Sequence, residues 1–442
     1  RGDASDLGSF ELCCLTTPPT RLYVDASKTA GANTGLTWED AFTTLQAALN
    51  YECNANLTEI WVAKGTYYPD EGGTFADNDR NAAFVMKSGV SIYGGFVGNE
   101  ASDYDLSLRN FVTNETILSG DIDQNDGANF ANNGGNAYHV IYNYNNQLHN
   151  NTVLDGFTVK AGNANGGDLG GVGGGMYNYG SSPTVSNCWF TGNTAIFIGG
   201  GLSAYYNADR FFLTPRDNIK VSKCTFSNNT ASGTTGYGGG MYTFQNQAII
   251  ENTTFSQNSS AAYGGGLYAS DCGTGVILSN VVFSENTANT LGGAIASTGS
   301  NVTVINGTFS NNSVSNPVNA ATAGGGIFHS DDLAGIRLRL LNCILWGNTS
   351  AGNINSLGGS SIFATNCDVQ GISRFGWVNC IDQNPLFINT ADPDGADNLL
   401  GTADDGLRLS VCSPAINTGV SSATVGAIVL NALSTDVVGN AR

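Results

Sequence analysis

Residues Cys224–Tyr242 read CTFSNNTASGTTGYGGGMY, and residues Thr253–Tyr268 read TTFSQNSSAAYGGGLY. An aromatic residue, an Asn-rich turn and a glycine triplet follow one another in the same order each time. Glycine clusters of this kind begin at residues 173, 199, 238, 264, 292, 324 and 358. A second series (CWFTGNTA, CTFSNNTA, TTFSQNSS, VVFSENTA, GTFSNNSV, CILWGNTS) alternates with them, starting at 188, 224, 253, 281, 307 and 343. A constant unit at spacings of 26 to 39 residues marks a solenoid whose coils carry insertions at one corner.

Each unit holds short alternating stretches bounded by Asn, Gly and Ser, which is strand and turn chemistry. No helical periodicity of useful length appears between residues 150 and 380. Strands without crossover helices predict an all-β parallel β-helix, in which like residues stack into ladders. Phe190, Phe226, Phe255, Phe283 and Phe309 are expected to stack inward, and Asn193, Asn228, Asn258, Asn286 and Asn311 to line a turn. The glycine triplets fit a corner where a Cβ would clash. Cys188 with Cys224, and Cys343 with Cys367, fall in equivalent slots, as disulfides or as stacked thiols. Cys380 and Cys412 complete the set of bridge candidates.

The ends differ from the middle. Residues 1–20 form an extended N-terminal segment, 21–58 a cap, 59–380 the coils and 381–442 a closing module with an acidic loop. Thr37-Trp-Glu-Asp40 resembles a capping box, and Trp38, Phe42, Leu45 and Leu49 fall on one helical face, predicting a short helix over the first coil.

Only 12% of the 442 residues are charged and the net charge is −19, which argues against nucleic acid and anionic membrane partners. No apolar run of about 18 residues predicts a membrane span. Ten cysteines without CxxC spacing favour an oxidising, extracellular or cell-surface location over a zinc site. A start at Arg1 rather than Met reads as a processed chain. The tripeptide Arg1-Gly-Asp3 is read as coincidence.

The run LYVDAS…TWEDAFTTLQAAL…EIWVAKGTYYPD…VSIYGGFVGNE…TILSGDID resembles the start of exported bacterial right-handed parallel β-helix proteins of the pectin-lyase-like superfamily. The FxxN and GGA/GGG units resemble the tetrapeptide motifs of polymorphic outer-membrane proteins and related adhesins. NPLFINTADPDGADNLLGTADDGLRLSVCSPAINTG is similar to the closing module of such proteins, which often precedes a surface-sorting anchor. The resemblance spans about residues 21 to 442 and implies right-handed coils and export. That superfamily mixes adhesins, surface layers and polysaccharide enzymes. It also leads one to expect one more strand after Val437-Val-Gly-Asn-Ala-Arg442.

Several residue sets are candidate sites. Asp392, Asp394, Asp397, Asp404 and Asp405 form a glycine-jointed acidic loop suited to structural Ca2+ or to solvation alone. Asp121, Asp123, Asn125 and Asp126 have weaker carboxylate spacing of the same kind. Ten glycosylation sequons begin at Asn56, Asn114, Asn150, Asn228, Asn252, Asn258, Asn301, Asn306, Asn311 and Asn348, about as many as chance supplies in so Asn-, Ser- and Thr-rich a chain. Asp331 and Asp332 with Arg337 and His329 are the one cluster with a catalytic look, and pectin-hydrolase Gly-His-Gly and Arg-x-Lys signatures are absent. Tyr205, Tyr206 and Tyr242 could stack on glycans or pack in a ladder.

These features predict a non-catalytic, extracellular structural or adhesive solenoid. One specific form is a self-assembling filament subunit, with residues 1–20 donated to a neighbour's open end. The alternatives are a polysaccharide lyase or hydrolase acting on uronate-type glycans, and a carbohydrate-binding protein.

Overall fold

The computed structural model describes residues 18–52, 54–206, 217–330, 335–371, 377–396, 402 and 404–435. Among the described residues, 24 strands join in one sheet wound around the solenoid, and eight two-residue strands form a narrow second one. The large sheet pairs in parallel from coil to coil, as in Met176–Tyr179 on Leu202–Tyr205 on Met241–Phe244. The chain is an all-β, right-handed parallel β-helix, the hand that right-twisted strands impose on parallel returns.

Parallel, in-register pairing puts identical side chains on top of one another. Phe190, Phe226, Phe255, Phe283 and Phe309 are fully buried, with ring centroids 4.6 to 5.0 Å apart and planes within 8° of parallel. Burying five large apolar rings in one column supplies much of the driving force for stacking the coils.

The turn ladder sits one residue away from its expected place in two coils. The stacked, solvent-free asparagines are Asn193, Asn229, Asn258, Asn286, Asn312 and Asn348. From Asn229 onward each Oδ1 accepts from the backbone N and the Nδ2 of the asparagine one coil before, as Asn258 does from Asn229 at 3.1 and 3.0 Å, while Asn193 Oδ1 accepts from Gly162 N (3.0 Å). Each Nδ2 also donates to a carbonyl of the preceding coil, Asn258 to Phe226 at 2.8 Å. Asn228 and Asn311 instead hold the left-handed position just before the ladder (φ +55° at both), exposed on the outside. Gln257 and Glu285 occupy that position in the intervening coils.

A second asparagine ladder lies at the next bend. Asn280 donates to Asn252 (3.1 Å), Asn306 to Asn280 (2.9 Å) and Asn342 to Asn306 (3.1 Å), all with positive φ. The glycine triplets divide two tasks. Gly238 and Gly264 have φ +65°, while a Cβ on Gly240 would lie 2.7 Å from the carbonyl oxygen of Gly266 one coil on.

The N-terminal helix is shorter than its hydrophobic pattern predicts. It spans Leu45–Leu49 and is capped by Thr44, not Thr37. Phe42 is drawn out of the helix because its N–H donates to Tyr23 and its carbonyl accepts from Asp25, extending the first coil. Trp38 packs with Tyr23, Trp61 and Phe96 in a cluster separate from the main core that holds Phe42, Leu45 and Leu49.

At the other end the chain runs back along the side of the coils. Asn342 donates to Val420 O (2.9 Å), Asn366 to Thr418 O (2.8 Å) and Asn280 to Thr435 O (2.9 Å). The hairpin Ser422–Val425/Ile428–Asn431 buries Val425 and Leu430 against Ile305 and Leu341. The second asparagine ladder is thus the rail on which the closing segment docks. Residues 1–17 and 436–442, with Cys13, Cys14 and the proposed filament contacts, lie outside the described residues.

Cys188, Cys224, Cys343, Cys367, Cys380 and Cys412 are free thiols. Cys188 with Cys224 and Cys343 with Cys367 do stack, one step before paired strands. Strand spacing of about 4.8 Å holds in-register Cβ atoms wider than the roughly 3.8 Å a disulfide prefers. Burial pushes the Cys188 and Cys367 thiols upward in pKa, so they behave as small apolar packing groups.

Candidate functional site

The outer side of one sheet is lined with rings. In Met176–Tyr179 the side chains of Met176 and Asn178 point inward, fully buried, so Tyr177 and Tyr179 share the outer side. Register then aligns Tyr144, Tyr179, Tyr205 and Phe244 on four successive coils. Their centroids are 4.8, 5.4 and 4.7 Å apart and the rings are stacked. Tyr144 is 36% exposed. Beside this row, Ile198, Tyr237, Tyr263, Tyr242 and Tyr268 complete one apolar patch with Tyr205 and Phe244.

Stacking decides what the row can do. Each inner ring covers the faces of its neighbours, so the row presents ring edges and phenol groups at coil spacing. Beyond Phe244 the column continues with Ser270, Thr298 and Ser330, and the Tyr268 phenol of the next coil reaches across to Thr298 Oγ1 (2.9 Å). The in-register row of rings therefore ends at the half-buried Phe244. Burial raises the pKa of Tyr142, Tyr177 and Tyr242, so these phenols stay neutral hydrogen-bonding groups.

Tyr205 lies at the centre of this row. Tyr242 is only 7% exposed and packs behind it, while Tyr206 N donates to Phe244 O at the coil edge. Tyr144, Tyr179 and Phe244 escaped sequence reading. Aligning MYNY, LSAY and MYTF behind their glycine triplets would have found Tyr179, Tyr205 and Phe244, whereas Tyr144 follows no triplet.

Of the catalytic-looking cluster, His329 and Arg337 lie among the described residues. His329 points into the solenoid, fully buried, with Nδ1 2.8 Å from Ser297 Oγ. Arg337 lies over the Phe363 ring and donates to its neighbour's carbonyl. Asp331 and Asp332 lie outside the described residues. His139, with its pKa lowered to about 4 by burial, packs against Tyr142, and His149 pairs with Asp217 at 2.8 Å. The three histidines are far apart in the fold.

In the acidic loop, Asp404 and Asp405 accept from the Thr402 hydroxyl (2.7 and 3.0 Å), and burial followed by Asp392 raises the pKa of Asp394. Asp397 lies outside the described residues. Among the described residues no three Asp, Glu, His or Cys side chains gather into a metal-holding group. Asp404 and Asp405 thus brace a turn through Thr402. Of the sequons, Asn258, Asn306 and Asn348 are buried ladder residues and are not glycan acceptors in the folded chain. Asn56, Asn228 and Asn311 are exposed; Asn114, Asn150, Asn252 and Asn301 are partly covered.

A separate cleft of about 660 Å³ lies between the coils and the returning C-terminal segment, lined by Asn342, Asn366, Asp368, Leu409 and Ile416. Asp368 is 3% exposed and its Oδ2 has no hydrogen-bond partner. Burial, reinforced by Asp382, raises its pKa to about 6, against a bond from Gln383 N. The folded chain thus holds a proton that the unfolded chain releases near pH 3.8. Asp368 contributes stability that is complete below that value and is lost as pH rises through about 6. Asp368→Asn is expected to raise the melting temperature near pH 7 by about 2–4 °C and to flatten its slope between about pH 4 and 6. Calorimetry showing the parent's slope unchanged would contradict this environment.

No protein-family model matches the chain, and no curated protein matches it. Among solved structures, the crystal structure of pectate lyase Pel9A is similar over 96% of this chain and 97% of that one, with TM-score 0.46 and 14% identity. The chain's own strand registers define it as a parallel β-helix protein.

Proposed function

We propose that this chain is a non-catalytic, extracellular or cell-surface adhesive solenoid that binds glycan chains along its aromatic row. The observation that carries the reading is the in-register row Tyr144, Tyr179, Tyr205 and Phe244. A polymer lying along the rod would meet an equivalent edge at each coil, with phenol hydroxyls for its sugar hydroxyls at three of them. With a net charge of −19, a neutral polysaccharide is favoured over a polyuronate. Tyr179→Ala and Phe244→Ala should each weaken retention in affinity gels containing neutral polysaccharide by about tenfold, at roughly 1–2 kcal/mol per lost aromatic contact. Retention equal to the parent's in both variants would sink the proposal.

The filament form of the reading places self-association in residues 1–20. Their deletion should leave monomers in a sizing column, and unchanged oligomers would refute it. One observation favours the enzymatic alternative: a carboxylate with pKa about 6 in a cleft is poised as a general acid. Glycan turnover abolished by Asp368→Asn would establish that alternative.

A further inference from the structure

The segment Asp121-Ile-Asp-Gln-Asn-Asp-Gly127 leaves the solenoid directly after strand Thr116–Ser119, and the chain returns at Asn136. Asp121 closes the turn, its Oδ1 accepting from Asn125 N (3.0 Å) and Asp126 N (3.4 Å), with Gln124 left-handed at φ +52°. Asn125 Nδ2 donates to Asp123 Oδ2 (2.7 Å). Asn136 Nδ2 donates to Asp126 Oδ2 (2.9 Å) and to Ala161 O (2.7 Å).

Those bonds satisfy one oxygen on each carboxylate and leave Asp123 Oδ1, Asp126 Oδ1 and Asn136 Oδ1. All three are shut off from solvent and have no donor. Asn136 itself is 0% exposed. The three residues are neighbours. A Cβ on Gly135 would overlap the Asp123 carboxylate, and the next residue, Asn136, holds Asp126.

Buried acceptors without donors are rare and call for a specific partner. Here every orphan is an oxygen and none is a donor, so hydrogen bonding among them cannot resolve the set. Arg80 is committed elsewhere: it donates to Asn136 O (2.6 Å), Asn163 O (3.1 Å) and Asn165 Oδ1 (2.7 Å).

We propose that Asp123, Asp126 and Asn136 bind a hard divalent cation through these three oxygens. Two carboxylates and an amide oxygen in an irregular loop fit calcium, with its tolerance of irregular geometry, better than magnesium. The site has two acidic ligands, consistent with the absence of any three-acid group among the described residues. Its effect would be mechanical. The loop carries Phe130, whose ring lies so close to Gly192 that a Cβ there would clash, so the cation clamps the loop across a coil turn.

The test is calorimetric titration of the full chain, stripped with chelator, using calcium chloride and then magnesium chloride. The expected result is one calcium per chain, with magnesium at least tenfold weaker. Asp123→Asn/Asp126→Asn should weaken calcium binding by about 100-fold, whereas Asp392→Asn/Asp404→Asn in the C-terminal loop should leave it unchanged. Absence of calcium binding by the parent overturns the proposal. So does tight binding by the folded double variant, loss in the C-terminal variant, or magnesium binding as tight as calcium. If the double variant fails to fold, the single Asp123→Asn serves in its place. A calcium-dependent rise in melting temperature, present in the parent and absent in that variant, is the second readout.

Discussion

Asn258→Ala is expected to lower the unfolding free energy by about 5 kcal/mol. The side chain is fully buried and takes part in four hydrogen bonds across three coils. Its loss takes the partner from Asn229 N and the side-chain donor from Phe226 O, and leaves Asn229 Nδ2 with only its bond to Phe190 O (2.8 Å). Each buried orphan costs about 1–3 kcal/mol, and water cannot reach them while the coils stay stacked. Asn228→Ala, at an exposed turn position with φ +55°, should cost no more than about 1 kcal/mol. Urea unfolding of the two variants reads the difference directly. Equal losses would mean that the buried ladder does not hold the turn.

The second large effect is expected from Phe255→Ala. The ring is sandwiched between Phe226 at 4.9 Å and Phe283 at 4.6 Å and has no exposure. Truncation removes the apolar burial and leaves a cavity between two rings that the backbone ladders hold apart, costing about 3–5 kcal/mol. Because each coil contacts only its neighbours, the loss should appear as local opening around residues 226–283 before the ends unfold. Hydrogen exchange resolves this. Phe255→Leu should recover about half the loss, and exchange spread uniformly along the rod would contradict the nearest-neighbour picture.

The sequence made the fold legible because a parallel solenoid writes its contacts as repeats. Aligning the Phe-bearing units was enough to identify the aromatic core column. The Asn ladder slipped by one residue only where two asparagines adjoin, at 228–229 and 311–312. Coils with a single Asn, such as Gln257–Asn258 and Glu285–Asn286, carry the offset that resolves it. The helix falls short of its hydrophobic pattern because Phe42 fits a helical face locally but makes strand bonds to Tyr23 and Asp25.

The candidate sites were less legible, since they depend on pairs that no repeat encodes. The row of rings required knowing that Tyr144, which follows no glycine triplet, registers with Tyr179. The Asp368 cleft exists only because residues 409–434 fold back over the coils. The acidic residues near 392–405 attracted attention by density, yet hydrogen bonds to Thr402 occupy Asp404 and Asp405. At residues 121–126 the decisive group, Asn136, lies ten positions further along.

The central claim is binding without turnover. Its most direct test is prolonged incubation of the purified protein with neutral polysaccharide, and separately with polygalacturonate with and without calcium. Retention and newly released chain ends would be measured in the same samples. The account predicts retention on the neutral polymer that falls in Tyr179→Ala, with no new chain ends in any sample. Chain ends that accumulate with time and disappear in Asp368→Asn would contradict it.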